Sequence, residues 1–226
     1  MLTVDPELAR AGLSAAVVVA RGLDNTRTSP ALLAYRRQAS RELAAFWKNR
    51  SLSAHPALAE YECVHRRFGI VGEPSAPEKL LRTLRRHEDL GAASAVVDCY
   101  NLVSARTLLS IGAHDLGRFA APIALRPTTE DDLFVPLGET RRQSVAGEYA
   151  YVEPDGRVIC RLEVLQAEHS KATPGSTDIA FFLQDNRALG AGALLRGCWH
   201  LAELLTTFCG GTAELVTFLD ARRASP

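Results

Sequence analysis

The longest apolar run in the chain, Leu13 to Ala20 ("LSAAVVVA"), is interrupted only by Ser14 and centres on three adjacent valines. Stiff β-branched side chains suit a pleated, buried surface better than a helix. Residues 13–23 are therefore expected to form a buried strand. The run is far shorter than the ~20 residues needed to cross a bilayer, and Arg10 and Arg21 flank it. The chain has 226 residues and 47% hydrophobic content, enough to enclose such a strand in one large domain or two small ones. That content argues against disorder.

Helical spacing follows the strand. Ser29 stands at a cap position before Pro30, a residue favoured in a first helical turn. Leu32, Tyr35, Ala39, Leu43 and Phe46 then recur at three-to-four spacing, with Arg37, Arg41 and Lys48 on the other face. A shorter helix is expected from Pro56 to Arg67, ending at Gly69. A third runs from Glu78 to His87, with Lys79, Arg82 and Arg86 along one side. Residues 92–119 give mixed signals: a helix or strand–helix piece to Leu109, then a glycine turn. From Pro122 the texture becomes β. "PIALRPT", "GEYAYVEPDGRVICRLEVL" and "DIAFFLQ" are strand-like, and "EPDG" at 153–156 marks a hairpin turn. Beyond Asn186 the pattern is helical again, Leu189 to Phe208 and then "GGTAELVTFLDAR". With no linker, repeat or low-complexity tract, the expectation is one compact α+β domain over residues 1–226. It divides into a helical, basic front part (1–90), a central core (91–185) whose β-rich portion starts near residue 122, and a C-terminal helical segment (186–226).

The formal net charge is zero, but residues 1–120 are net +4 and residues 121–226 net −4. Residues 26–90 are the most basic part, with 12 cations against 7 anions. Arginine supplies 23 of the 26 cations. It makes forked contacts to phosphate, although a GC-rich genome also yields arginine over lysine and is the better account of the excess. Five scattered cysteines, Cys63, Cys99, Cys160, Cys198 and Cys209, form no C-x-x-C pair, which fits buried thiols in a reducing compartment. The start, "MLTVDPELAR", has Asp5 and Glu7 where a secretory leader would be cationic. A soluble cytoplasmic protein is expected.

Familiar catalytic signatures are missing. "GAGALLRG" at 190–197 has the spacing of a dinucleotide loop, but too little chain follows for the required second half; close helix packing explains it better. There is no Gly-Lys-Ser/Thr phosphate loop and no Gly-x-Ser-x-Gly elbow. Cys63-x-His65 and Cys198-x-His200 do not supply the four converging ligands of a zinc site. No metal or cofactor is expected.

More informative are "VVDCYNLVS" (96–104), "IGAHDLGRF" (111–119), "GEYAYVEPDGRVICR" (147–161) and "EHSKATPGST" (168–177). In order and spacing they resemble the B3/B4 domain of the phenylalanyl-tRNA synthetase β-subunit, and above all its freestanding relatives. The landmarks are Asp98 and Asn101, Ser104, Gly112 and Asp115, Gly147-Glu148, Asp155 with Arg161, and Thr177. In the synthetase this domain is an editing site that hydrolyses tyrosine from tRNA for phenylalanine. The resemblance implies that Asn101 lines the pocket, and that Glu168, His169 and Ser170 continue a matching polar stretch. It also implies departures. The synthetase's pocket histidine, in a His-Ala-Phe-Asp motif, is replaced by Gly112, while His114 takes the place of the aromatic. Its specificity glutamate falls at Phe182 or Leu183, and its glycine-rich wall becomes "LEVLQ". Tyrosine specificity therefore does not carry over; a less polar side chain suits such a pocket.

The resemblance thus implies a trans-acting aminoacyl-tRNA deacylase with altered specificity. Such an ester is already activated. Hydrolysis needs a placed water, an oxyanion donor and a grip on the terminal adenosine. Candidate catalytic residues are His114 or His169 as base and Glu168 for the substrate's ammonium. Asn101, Gly112, Ser170, Thr177 and Phe182 are the candidate substrate contacts. Arg37, Arg41, Arg82 and Arg86 would meet tRNA phosphates. Aminoacylated tRNA is the expected partner, with neither membrane nor DNA. Two alternatives stay open: an RNA-binding module without catalysis, and a pocket for an amino acid or its derivative. Glu168–Ser170 equally suits a polar lead-in to a buried strand.

Overall fold

The computed structural model describes residues 1–26, 29–91, 93–190 and 192–221. A short strand β1 (Leu2–Val4) and a helix α1 (Pro6–Arg10) precede β2 (Ser14–Arg21), which contains the valine run. Four helices follow: α2 (Pro30–Trp47), α3 (Pro56–Arg67), α4 (Ala76–His87) and α5 (Ala95–Thr107). Next come β3 (Ser110–Asp115), β4 (Ile123–Pro127), β5 (Tyr149–Val152), β6 (Val158–Arg161), β7 (Leu165–Gln166) and β8 (Ile179–Asp185). A 3₁₀ turn (Arg187–Leu189), helix α6 (Ala193–Cys209) and β9 (Thr212–Leu219) complete the described elements.

The strands form two sheets, ordered β1-β4-β5-β6-β7 and β3-β8-β2-β9. Among the described strands only β1 and β4 pair in parallel; the other strand pairs are antiparallel. Strands β2 and β8 occupy the middle of the second sheet, which explains their unbroken apolar sequence. One set of their side chains, including Val18, Phe181 and Leu183, packs with α5 and α6. The alternate set, including Val17, Val19 and Phe182, packs against Tyr149, Tyr151 and Ile159 of the first sheet. A strand buried on both faces loses the usual alternation. Each fully buried Val, Leu or Phe contributes about 1.5–3 kcal/mol, so these two strands anchor the layers. The result is one compact α+β domain of helices, sheet and sheet.

The helix signals act as expected. The Ser29 hydroxyl accepts the Leu32 N–H at 3.1 Å, and Pro30 begins α2. Leu32 and Ala39 are buried, whereas Phe46 is exposed with Arg50 over its ring at 4.1 Å. Arg36 is buried instead, pairing with Asp98 of α5 at 2.9 Å and Asp89 at 3.2 Å. Gly197 allows α6 to press onto Leu109: a Cβ there would meet Leu109 Cδ1 at 2.1 Å. Close packing is therefore one role of the glycines at 190–197. The "EPDG" turn joins β5 to β6, with the Gly156 N–H donating to the Glu153 carbonyl at 3.1 Å.

Two segments differ from the sequence reading. Residues 110–115, expected as a glycine turn, are strand β3, because β8 offers an edge that pairs Ser110–Asp115 throughout. Residues 212–219, expected as helix, are strand β9, paired along β2. Apolar residues at 215, 216, 218 and 219 satisfy helical spacing, but the Gly210-Gly211 break stops α6. The unpaired backbone of β2 then takes the segment as a strand. Among the described residues, no helix is long and apolar enough to cross a membrane.

Candidate functional site

The pleat of β3 sorts its side chains. Ile111 and Ala113 belong to the core shared with the helices. Ser110, Gly112 and His114 point the other way, toward Tyr151 and Cys160 of the first sheet. Helix α5 brings Tyr100, Asn101 and Ser104 to the same end of the sheet, one helical turn along a single face. Between them lies a cavity of about 190 Å³, closed by Lys79 and Leu80 of α4, by Gly112, and by Glu163 and Gln166. A second, water-sized cavity of about 10 Å³ lies beyond Gly112, lined by Ser110, His114, Phe182 and Gln184. Both cavities share Gly112, Cys160 and Glu163 as walls.

Glu163 is the charged floor of this arrangement. Leu162 just before it has φ +52°, a left-handed conformation costly for a branched residue. That bend turns the chain after β6 so that Glu163 is buried. Its carboxylate accepts from His65 Nε2 at 2.9 Å and from the Tyr149 hydroxyl. Burial opposes the charge, but His65 and Tyr149 outweigh it and hold the carboxyl below its ordinary range. Burial likewise opposes the charge on His65, and Glu163 outweighs it, raising the imidazole above its ordinary value. The network continues outward, as the Tyr151 hydroxyl donates to Gln184 Oε1 at 2.9 Å. Burial pushes the Tyr100 hydroxyl up to about 12. At the rim, Lys79 pairs with Glu73 at 2.6 Å.

The structure brings some of the sequence candidates together and separates others. Asn101 and Gly112 line the larger cavity. His114 and Phe182 line the smaller one, their rings 5.6 Å apart, and Ser170 stands behind His114 with its hydroxyl 2.9 Å from Nδ1. His114 is fully buried; burial, helped by the neighbouring His169, lowers its pKa to about 3. It is neutral at working pH and a poor base. His169 does not line either cavity; its Nε2 lies 2.6 Å from Glu153. Glu168, expected near the substrate, lies on an outer loop, where it pairs with Lys171 and accepts the Gly138 N–H at 2.8 Å. Thr177 is exposed, and its carbonyl accepts the Leu23 N–H at 2.9 Å. Arg37, Arg41, Arg82 and Arg86 are exposed on α2 and α4, with Arg82 held to Glu78 at 2.7 Å. Of the Cys-x-His pairs, Cys63 is exposed while His65 is buried.

The family model for the B3/4 domain matches residues 67–184, just over half of the chain and all of β3 to β7 with the cavity between them. The chain belongs to the B3/4 domain family. A solved structure similar to this B3/4 chain is an N-terminal fragment of the phenylalanyl-tRNA synthetase β-subunit from Pyrococcus horikoshii, with a TM-score of 0.53 at 11% identity. The alignment covers 94% of this chain and 50% of that fragment, so the B3/4 chain spans half the fragment's length. At that identity the likeness establishes the fold. No curated protein matches by sequence. The residues that sequence reasoning missed, His65, Tyr149, Glu163 and Gln166, all fall on the matched part or at its edge. Glu163 left one signal: a lone acid between Leu162 and Val164, where an apolar residue was due.

Proposed function

We propose that this B3/4 chain hydrolyses, in trans, the ester of an aminoacyl-tRNA whose amino acid is not tyrosine. One observation carries the reading. Asn101 and Gly112, singled out by motif order alone, come from a helix and a strand yet line one cavity. Its roughly 190 Å³ is below the ~300–1,000 Å³ of pockets for drug-sized ligands. That size suits an amino-acid side chain, with the terminal adenosine outside. Phe182, buried beside His114, lines the smaller cavity beyond Gly112 and puts an apolar ring where the resemblance would place a carboxylate. The phenylalanyl-tRNA synthetase β-subunit fragment that shares the fold supports a tRNA ligand.

The chemistry asks little of the protein. The Asn101 amide, without a side-chain hydrogen bond among the described residues, is free to donate to a developing oxyanion. The acid facing a substrate ammonium is Glu163, in the role first assigned to Glu168. His114 is too weak a base to activate water, so the ribose hydroxyl beside the ester would orient the attacking water by a hydrogen bond, and solvent would take the water's proton. Helix α4 would join the two halves of recognition, lending Lys79 to the cavity and Arg82 and Arg86 to phosphates. A second reading, a tRNA-binding module without catalysis, is favoured by one fact: neither His114 nor His169 stands free as a base.

A deacylation screen tests this. The protein is mixed with tRNAs each carrying a different labelled amino acid, and ester loss is followed over background. The expected result is selective loss of one or two esters, reduced about 100-fold by Asn101→Ala, the usual scale for one oxyanion donor. A flat panel from folded protein, with salt-sensitive tRNA binding, would move the assignment to the binding module.

A further inference from the structure

The Tyr61 hydroxyl next to Ser110 accepts from its backbone N–H at 3.3 Å and donates to the Gln184 carbonyl at 2.9 Å. Two residues of the smaller cavity nevertheless carry buried polar atoms with no hydrogen bond among the described residues, His114 Nε2 and Ser110 Oγ. Such atoms are uncommon in folded proteins and each needs an explanation. Both residues line the water-sized space beyond Gly112, four positions apart on the same face of β3. The imidazole leans back along the strand, since Nε2 lies 3.2 Å from where a Cβ on Gly112 would stand. Gly112 thus leaves open the ground between the two atoms, and Gly112, Cys160 and Glu163 line both this space and the larger cavity.

We propose that this space is a hydroxyl subsite, and that the ligand's side chain belongs to the class of small hydroxylated amino acids. The proposal rests on the reading of the larger cavity as an aminoacyl site and deepens it. The chemistry of the two atoms selects the group. His114 Nδ1 faces the Ser170 hydroxyl, either group donating, so Nε2 is an acceptor in one tautomer and a donor in the other. Ser110 Oγ both donates and accepts. A hydroxyl group does both as well, and satisfies the pair in either state. A carboxylate is disfavoured by Glu163 on the shared wall. A methyl group would leave two buried polar atoms unpaired. A site built to bond a hydroxyl rejects the analogue that lacks it far better than an apolar site rejects an added hydroxyl.

The test separates the subsite from catalysis. Non-hydrolysable 3′-aminoacylamino-adenosines are prepared in two matched pairs, threonyl with valyl and seryl with alanyl, and bound to the full chain by calorimetry. The expected result is that the hydroxylated member of at least one pair binds about tenfold tighter or more. Ser110→Ala should bring it down to its deoxy partner. Circular dichroism and thermal melting confirm that the variant is folded, and Ser110→Thr, which keeps the hydroxyl, should retain the preference if it folds. Equal binding within both pairs, no binding by any analogue, or a preference that survives Ser110→Ala each overturns the subsite. If the hydroxyl preference is found and the corresponding ester is not hydrolysed, the subsite stands and the deacylase reading fails.

Discussion

At the residue scale, the pair His65–Glu163 decides how this site responds to pH and truncation. The partners are 98 positions apart and almost wholly buried. Each holds the other charged against the cost of burial. Glu163 has a folded pKa below its ordinary 4.5, so its contribution is present above that value and is lost as pH falls through the folded one. His65 has a folded pKa above its ordinary 6.5, so its contribution is full below 6.5 and is lost as pH rises through the folded one. Stability from the pair should therefore be greatest between about pH 4.5 and 6.5. His65→Ala leaves a buried carboxylate without its cation and should cost about 3–5 kcal/mol. Urea unfolding of both proteins from pH 4 to 9 checks this; equal stabilities at pH 5.5 would refute a charged pair. The sequence hid the pair for a physical reason. A lone acid has no periodicity, and its partner lies on a distant helix. Asn101 and Gly112 were legible because they sit inside ordered motifs, whereas Glu168 stood out equally well and proved to face an outer loop.

At the element scale, what was legible was local chemistry. A cap and a proline marked α2, because the unpaired N–H groups of a helix start must be met nearby, and Pro56 and Pro77 marked the starts of α3 and α4, although Ser75 makes no side-chain cap bond. Strand β9 was not legible, since its identity depends on the open edge of β2, two hundred residues earlier in order of magnitude, and not on its own spacing. The same local reasoning finds a weak point at the end of α4. Glu88 closes that helix with φ +55°, a conformation that glycine adopts freely. It also places an acid at the negative end of the helix dipole. It is exposed and bears no ion pair among those the structure shows. Glu88→Gly should therefore stabilise the protein by about 1 kcal/mol, a rise of roughly 2–4 °C in melting temperature for a domain of this size. Thermal melting that shows a loss would mean Glu88 has a role the geometry does not reveal.

At the scale of the whole molecule, a neutral chain can still present a positive face if the fold segregates its charges. The first and last parts of the chain interleave in the sheets, since β2 pairs with both β8 and β9. The sequence excess of +4 in residues 1–120 would be diluted if it lay there. It lies instead on helices drawn from one stretch: α2, α3, α4 and α5 meet around Trp47, Leu58, Leu81 and Leu108. Their outer surfaces carry Arg37, Arg41, Arg82 and Arg86, and α4 runs from the rim of the cavity. Ion pairs tie up part of this charge, such as Arg82 to Glu78 and Arg66 to Glu62. Arg37, Arg41 and Arg86 have no such pairing among the described residues, so they are among the cations free to replace counterions on a phosphate backbone. Replacing all three with alanine should weaken tRNA binding and flatten its dependence on salt, by about 0.9 in the log–log slope for each duplex phosphate contact removed. Arg157→Ala is the matching control, because that guanidinium is already committed to Glu153 and Asp155. A binding titration across salt concentrations reads both variants. If the triple variant keeps the original slope, these helices do not face RNA, and the approach to the cavity must be sought on another side of the domain. If the slope falls while the control keeps it, the basic stretch and the cavity belong to one recognition surface, joined through α4.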